Sequence, residues 1–296
     1  MGSVSTFGLG LMGAALARTM RAAGHNVVVW NRSPERMQAF RDTGFACTSD
    51  LQSAITASPV LVICIDNYTS IRSLFSPPEI AVALRGKVIV QLSSSTPKEA
   101  FEASERTHLG GASYLDGAIL AGPGTIGTAK ATILLSGDEV AYAAARLVLD
   151  CLGQGTVRYL GTNVGAASAL DLAWLTTRYG NFVAGVHAAN LCQAEGVPVN
   201  ELMALVPDNP AMQTYLQVIH AGSFDDYTAS LKVWAEALEH IRQQGRDASI
   251  NMDFPDFVAG LFNRAIASGY GQKNVMSLIK VLQDRPSPDP GNNRHG

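Results

Sequence analysis

Two groups of residues in this 296-residue chain have the types and spacing to do chemistry. One is Gly8-Leu9-Gly10-Leu11-Met12-Gly13, whose three glycines have the spacing of a turn that cradles a pyrophosphate. The other is a single carboxylate, Asp171, set in a proline-free apolar stretch over residues 165–195 beside Leu170, Leu172 and Trp174. A carboxylate in such surroundings is paired, protonated or used in a reaction. Tyr179 follows eight residues later, about 80° around a helix, where it could reach the same cavity. Each residue also has a structural reading. Asp171 could pair with Arg178, although about 10 Å would separate those backbones. Tyr179 could be a core aromatic whose hydroxyl is bonded elsewhere.

These residues need particular elements to position them. Residues 4–7 read as a strand, and a helical pattern follows Gly13 through Leu16, Met20 and Ala23 to Gly24. In that setting Gly8 permits the tight turn, Gly10 lets backbone approach the pyrophosphate and Gly13 lets the helix sit against the sheet. The phosphates meet amides at the helix N-terminus. A second strand, residues 25–30, ends in Asn31-Arg32-Ser33-Pro34, with Arg36 one turn on. Chains that use NAD place an acid there for the ribose hydroxyls. A guanidinium and a hydroxyl suit a 2′-phosphate instead, so NADPH is the expected cofactor unless Arg32 is only a solvated loop charge. Strands at 60–65 and 87–91 lead into Asp66-Asn67 and Ser93-Ser94-Ser95-Thr96-Pro97. Ligands of an open parallel sheet lie at the carboxyl ends of its strands, which puts Ile65, Asp66, Ser93 and Ser94 beside the nicotinamide. Thr96-Pro97 also reads as a helix cap.

Further strands at 114–118, 131–135 and 156–160 and a helix at 138–152 complete an α/β Rossmann domain over residues 1–163. Residues 164–195 read as one interdomain helix of about 30 residues, apolar nearly all round and therefore buried. Helical periodicity continues through residues 196–284, an all-α domain, and the Pro- and Asn-rich tail 285–296 reads as disordered. So long an apolar helix cannot bury its far end against one domain, which points to a homodimer. Trp174, Met212 and Trp234 are placed in an apolar substrate pocket, with the helix core as their alternative position. A net charge of −3 offers no basic footprint for nucleic acid. The longest apolar run, residues 60–65, is far short of the ~20 that cross a membrane. Cys47, Cys64, Cys151 and Cys192 lack CxxC spacing and read as reduced thiols of a cytoplasmic protein. The six histidines show no ligand spacing, so no metal is expected. The first six residues fit a myristoylation pattern, but Gly8 must fold into the first turn.

With Gly8-Leu9-Gly10-Leu11-Met12-Gly13, Trp30-Asn31-Arg32-Ser33-Pro34, Asp116-Gly117-Ala118-Ile119, Leu134-Leu135-Ser136-Gly137 and the glycine-led long helix in view, the chain resembles the β-hydroxyacid dehydrogenase superfamily. Within it, the chain is similar to the imine reductases and reductive aminases. The hydroxyacid dehydrogenases carry a catalytic Lys where this chain has Asp171, Asn residues at Trp174 and Leu175, and a substrate-binding Ser at Leu120. An acid and hydrocarbon at those places would repel an anionic substrate and welcome a cationic iminium. The resemblance implies NADPH-dependent reduction of C=N bonds, with an imine, or a ketone plus an amine, as substrate. Asp171 then holds the iminium or donates a proton, and Tyr179 bonds the substrate nitrogen or orients Asp171. Ser94 and Leu120 join the substrate pocket, although the aminase pattern has Asn where Ser94 stands. The resemblance also implies an intertwined homodimer, and makes residues 196–284 the substrate and dimerisation domain. An NADP-dependent 3-hydroxyacid dehydrogenase and a non-catalytic NADPH sensor are the other readings.

Overall fold

Residues 60–63, Val-Leu-Val-Ile, are buried on both sides: Val60 and Val62 enter one core, Leu61 and Ile63 another. A strand apolar on both faces belongs in a parallel sheet covered twice by helices. The computed structural model, which describes residues 1–65 and 68–283, is built that way. Asp66 and the tail 285–296 lie outside the described residues.

The first part runs β1 (Ser3–Phe7), α1 (Leu11–Ala22), β2 (Asn26–Trp30), α2 (Pro34–Arg41), β3 (Ala46–Thr48), α3 (Leu51–Thr56), β4 (Val60–Ile63), α4 (Tyr68–Phe75), α5 (Pro78–Ala83), β5 (Val88–Gln91) and α6 (Pro97–Leu109). It continues with β6 (Ser113–Leu120), β7 (Thr132–Gly137), α7 (Glu139–Leu149), β8 (Val157–Tyr159) and the long α8 (Ala166–Ala194). Among the described residues the sheet order is β3-β2-β1-β4-β5-β6-β7-β8. Neighbours are parallel except β6 and β7, which are antiparallel. The order reverses between β1 and β4, which opens a crevice at their carboxyl ends. Leu16, Met20, Met37, Phe40, Ala141 and Val148 cover one face from α1, α2 and α7. Ile55, Ile71, Ile80 and Ala103 cover the other from α3, α4, α5 and α6.

Helix α8 has 29 residues, but it is not buried all round, since Leu170 is 40% and Leu191 56% exposed. The chain forms two compact units, and they divide inside this helix: one is Met1–Leu172, the other begins at Ala173. Strands β6 and β7 hold the first turn of α8, which places that turn in the first unit. The second unit adds α9 (Val199–Leu205), α10 (Pro210–Ala221), α11 (Leu231–Asp247), α12 (Asp253–Ala265) and α13 (Leu278–Gln283). Tyr179, fully buried, packs its ring edge-on or tilted against Phe182, Trp234 and Phe262, with centroids 5.7–5.9 Å apart. Met212 sets its sulfur on the backbone of α8 at Gly185.

Among the described residues no disulfide joins the cysteines, no helix is long and apolar enough to cross a membrane, and no His/Cys/Asp/Glu cluster could hold a metal.

The Tyr179 hydroxyl donates to the Trp234 carbonyl at 2.6 Å. Tyr179→Phe removes that bond from the buried core, so the unfolding free energy should fall by roughly 1 kcal/mol in a denaturant titration. An unchanged midpoint would show that the hydroxyl bonds elsewhere in solution.

Candidate active site

The turn after β1 depends on two close approaches. Gly8 has a φ of +97°, and a Cβ there would lie 2.1 Å from the Cys64 carbonyl oxygen. A Cβ on Gly13 would lie 2.2 Å from the Gly8 oxygen. At Gly10 nothing stands within 4 Å of the same position. The turn is thus closed on its sheet side and open above Gly10, where a phosphate has room. Gly10 caps α1 without a side-chain bond, so the first-turn amides stay available to an anion.

The expected cofactor residues fall around two clefts that share Gly10, Cys64 and Ile65. One, of about 710 Å³, is lined by Gly8, Leu9, Trp30, Asn31, Arg32, Ser33, Arg36 and Ser70. The other, of about 780 Å³, is lined by Leu11, Met12, Gly13, Leu92, Ser93, Ser94, Ala118, Ile119 and Asp171. Asn31 has a bracing role that its position alone does not reveal. Its Oδ1 accepts from the Leu9 amide at 3.0 Å and its Nδ2 donates to the Ser33 carbonyl at 3.2 Å, locking the glycine turn to the loop that bears Arg32. Ser93 ties two strand ends together, its hydroxyl accepting from the Ile65 amide at 2.9 Å.

Asp171 lines the second cleft, and burial pushes its carboxyl up to about 6. Burial is the one cause of that shift, and among the described residues the carboxylate has no hydrogen-bond or ion-pair partner. Leu170, expected to help bury it, is exposed; Leu172, at 2% exposure, is the buried neighbour. The Arg178 guanidinium is engaged in the second unit, 4.6 Å from the Trp234 ring centroid, 5.2 Å from that of Trp174 and 3.4 Å from the Tyr215 hydroxyl.

Three expectations find different surroundings. Leu120 packs against the cluster of Ala118, Leu134 and Ala167, and the cleft wall at the end of β6 is Ala118 and Ile119. Tyr179 has its hydroxyl bonded in the helical core, and Trp174 and Trp234 flank Arg178.

Sequence reasoning overlooked the role of Asp116, on β6. It is fully buried, and its Oδ2 accepts from the Ser168 amide at 3.2 Å and from the Ser168 hydroxyl. Its Oδ1 accepts from Tyr68 at 3.3 Å and from Ser95 at 3.4 Å. Burial raises this carboxyl to about 7 against the pull of those donors. The Ser136 hydroxyl, on β7, accepts from the Ala167 amide at 2.9 Å. The first turn of α8 is therefore capped by two side chains from the sheet. The rule that singled out Asp171, a lone acid in an apolar run, applies equally to Leu115-Asp116-Gly117-Ala118.

Comparison with known proteins shows the family of both parts of the chain. Residues 3–161 match the NAD binding domain of 6-phosphogluconate dehydrogenase. Residues 163–284 match the C-terminal domain of NADPH-dependent reductive aminase-like proteins. The chain is 28% identical to an NADPH-dependent reductive aminase of Aspergillus oryzae, over 95% of this chain and 97% of the relative. A reductive aminase of Aspergillus terreus, solved with NADPH4, cyclohexanone and allyl amine, is 32% identical with a TM-score of 0.62, covering 95% of this chain and 99% of that one. An L-threonate dehydrogenase of Cupriavidus necator is 24% identical over 95% of this chain and 96% of the relative.

The two kinds of glycine give separable outcomes. Gly8→Ala should lower stability by roughly 1–3 kcal/mol through overpacking against Cys64. Gly10→Ala should stay within about 0.5 kcal/mol of the parent while weakening dinucleotide binding in a fluorescence titration. Equal stability losses from both would contradict the open face above Gly10.

Proposed function

The chain belongs to the imine reductase and reductive aminase branch of the β-hydroxyacid dehydrogenase superfamily, and we propose that it reduces the C=N bond of an imine or iminium ion to an amine with NADPH. The observation that carries this reading is Asp171, a carboxylate without a cation partner among the described residues, on the wall of the cleft that also bears the glycine turn. NADPH, when bound, supplies the hydride. The chain's own residues hold the reactants and exclude the wrong ones. Gly10 and the amides of Leu11, Met12 and Gly13 receive the pyrophosphate, and Arg32, Ser33 and Arg36 receive the 2′-phosphate. Ile65, Ser93 and Ser94 border the nicotinamide.

A carboxyl that titrates near 6 is mostly ionised at neutral pH. Charges ~4 Å apart at an effective dielectric of about 20 interact by about 4 kcal/mol. Ionised Asp171 therefore favours a cationic iminium and opposes a hydroxyacid carboxylate by amounts of that order. A charge fixed where the iminium sits needs no reorganisation during hydride transfer. We also read the exposed Leu191, Leu205 and Phe257 of the helical unit as surface covered in a homodimer, and the thiols as those of a cytoplasmic protein.

The experiment that tests the reading follows NADPH consumption with cyclic imines and with ketone–amine pairs, and NADP⁺ reduction with 3-hydroxyacids. Turnover of the first group that falls at least about 100-fold in Asp171→Ala supports it; turnover confined to hydroxyacids, or untouched by the substitution, overturns it. With a charge-holding Asp171, kcat/KM for an iminium should drop as pH falls through about 6, because protonation removes the charge. A decline above that pH would assign proton donation instead.

Arg32→Ala should raise the NADPH Michaelis constant by about tenfold or more, the loss of one charge-assisted contact of about 1.5–3 kcal/mol, while sparing NADH. Equal effects on both cofactors would remove the 2′-phosphate assignment.

A further inference from the structure

Asp116 lies outside the lining of both clefts, yet three segments that border them end on its carboxylate. Ser168 sits in the first turn of α8, one turn before Asp171. Ser95 follows Ser94, a lining residue of the cleft, in the loop after β5. Tyr68 is the first residue of α4, whose Ser70 and Leu74 line the first cleft. The bonds run on beyond the carboxylate. Ser95 and Ser168 hydroxyls are 2.7 Å apart, and the Tyr68 and Tyr114 hydroxyls 2.9 Å apart. Every donor in this cluster has an acceptor if Asp116 accepts throughout: Tyr114 donates to Tyr68, Tyr68 to Asp116, and the Ser168 amide and hydroxyl to Asp116.

We infer that Asp116 is a positioning residue: its carboxylate fixes the first turn of α8 against the start of α4 and the loop after β5, and so sets where Asp171 stands in the cleft. This rests on the proposed role of Asp171 at the reacting nitrogen. The physical reason is capping. An amide of a helix's first turn has no partner within the helix, and at α8 the Ser168 amide is met by a side chain of a neighbouring strand, not by the local chain. Helix direction and rotation are thereby referred to the sheet. A carboxylate at a helix N-terminus also meets the favourable end of its dipole. Loss of the acceptor leaves a buried amide and hydroxyls unpaired, and the turn must move to find water or another partner. A displacement of about 1 Å at a reacting group can cost about 100-fold in rate.

The test compares Asp116→Asn, Asp116→Ala and Ser168→Ala with the parent. Asparagine keeps one carbonyl oxygen for the Ser168 amide and hydroxyl, and its NH₂ donates to the Tyr68 and Ser95 hydroxyl oxygens, whose protons turn to the Tyr114 and Ser168 hydroxyls; alanine keeps neither. In folded Asp116→Ala, kcat for a cyclic imine should fall about 10–100-fold, with the NADPH Michaelis constant changed by less than about threefold. Amide hydrogen exchange of residues 168–172 should quicken by at least about tenfold, because an end opened to water frays. Asp116→Asn should recover kcat to within about threefold of the parent and restore slow exchange. Unchanged exchange and kcat in Asp116→Ala overturn the inference, as does an Asn variant as impaired as the Ala variant in both readouts. If the Ala variant does not fold, the Asn variant and Ser168→Ala decide it. Ser168→Ala removes only the hydroxyl and should lie between parent and Ala in exchange; parent-like exchange there together with an impaired Asn variant overturns the inference. The exchange readout does not depend on the reaction, so failure of the Asp171 reading and failure of this one are distinguishable: Asp171→Ala should leave exchange at residue 168 slow.

Discussion

The constraint on which this site depends is the unmet hydrogen-bonding capacity at the start of α8. Backbone amides in the first turn of a buried helix must find acceptors outside it. Here the Ala167 and Ser168 amides find Ser136 on β7 and Asp116 on β6. Two strands thus fix the helix end, and Asp171, one turn on, is carried to the wall of the cleft by geometry. The same requirement explains why the compact first unit extends past Leu160 and ends at Leu172.

Two acids of this unit behave differently, Asp116 fully buried and Asp171 partly exposed at the cleft. Asp116 is surrounded by donors and serves as an acceptor. Asp171 is partly shielded from water without receiving a single donor among the described residues. Burial raises both carboxyls, to about 7 and about 6. Only the second has unused capacity facing open space, and an anion without a partner favours a cationic ligand over an anionic one.

The fold was legible in the sequence wherever one local rule decided the outcome. Glycines spaced between an apolar strand and an amphipathic helix indicated the turn, and continuous Val/Ile/Leu runs indicated buried parallel strands. The short β3 and α5 were not legible, because three- and six-residue elements carry too little periodicity. At the site, the Asn31 position could be read but its brace to Leu9 could not, since that bond joins residues 22 apart in sequence. Leu120 was chosen by position in a loop, but β6 continues through it, so its side chain packs with Leu134 and Ala167. Asp116 went unweighed because its partners, Tyr68, Ser95 and Ser168, are spread across a third of the chain and meet only in three dimensions.

The central claim is that the cleft holds a negative charge positioned for a cation. A permanently charged N-methyl dihydroisoquinolinium ion tests it most directly, since hydride addition to such an ion needs no proton donor. The account predicts that the enzyme reduces this ion with NADPH and that Asp171→Asn, isosteric but neutral, lowers kcat/KM by at least about 100-fold, the size expected when one preorganised charge is lost. Equal rates for the two proteins would contradict it.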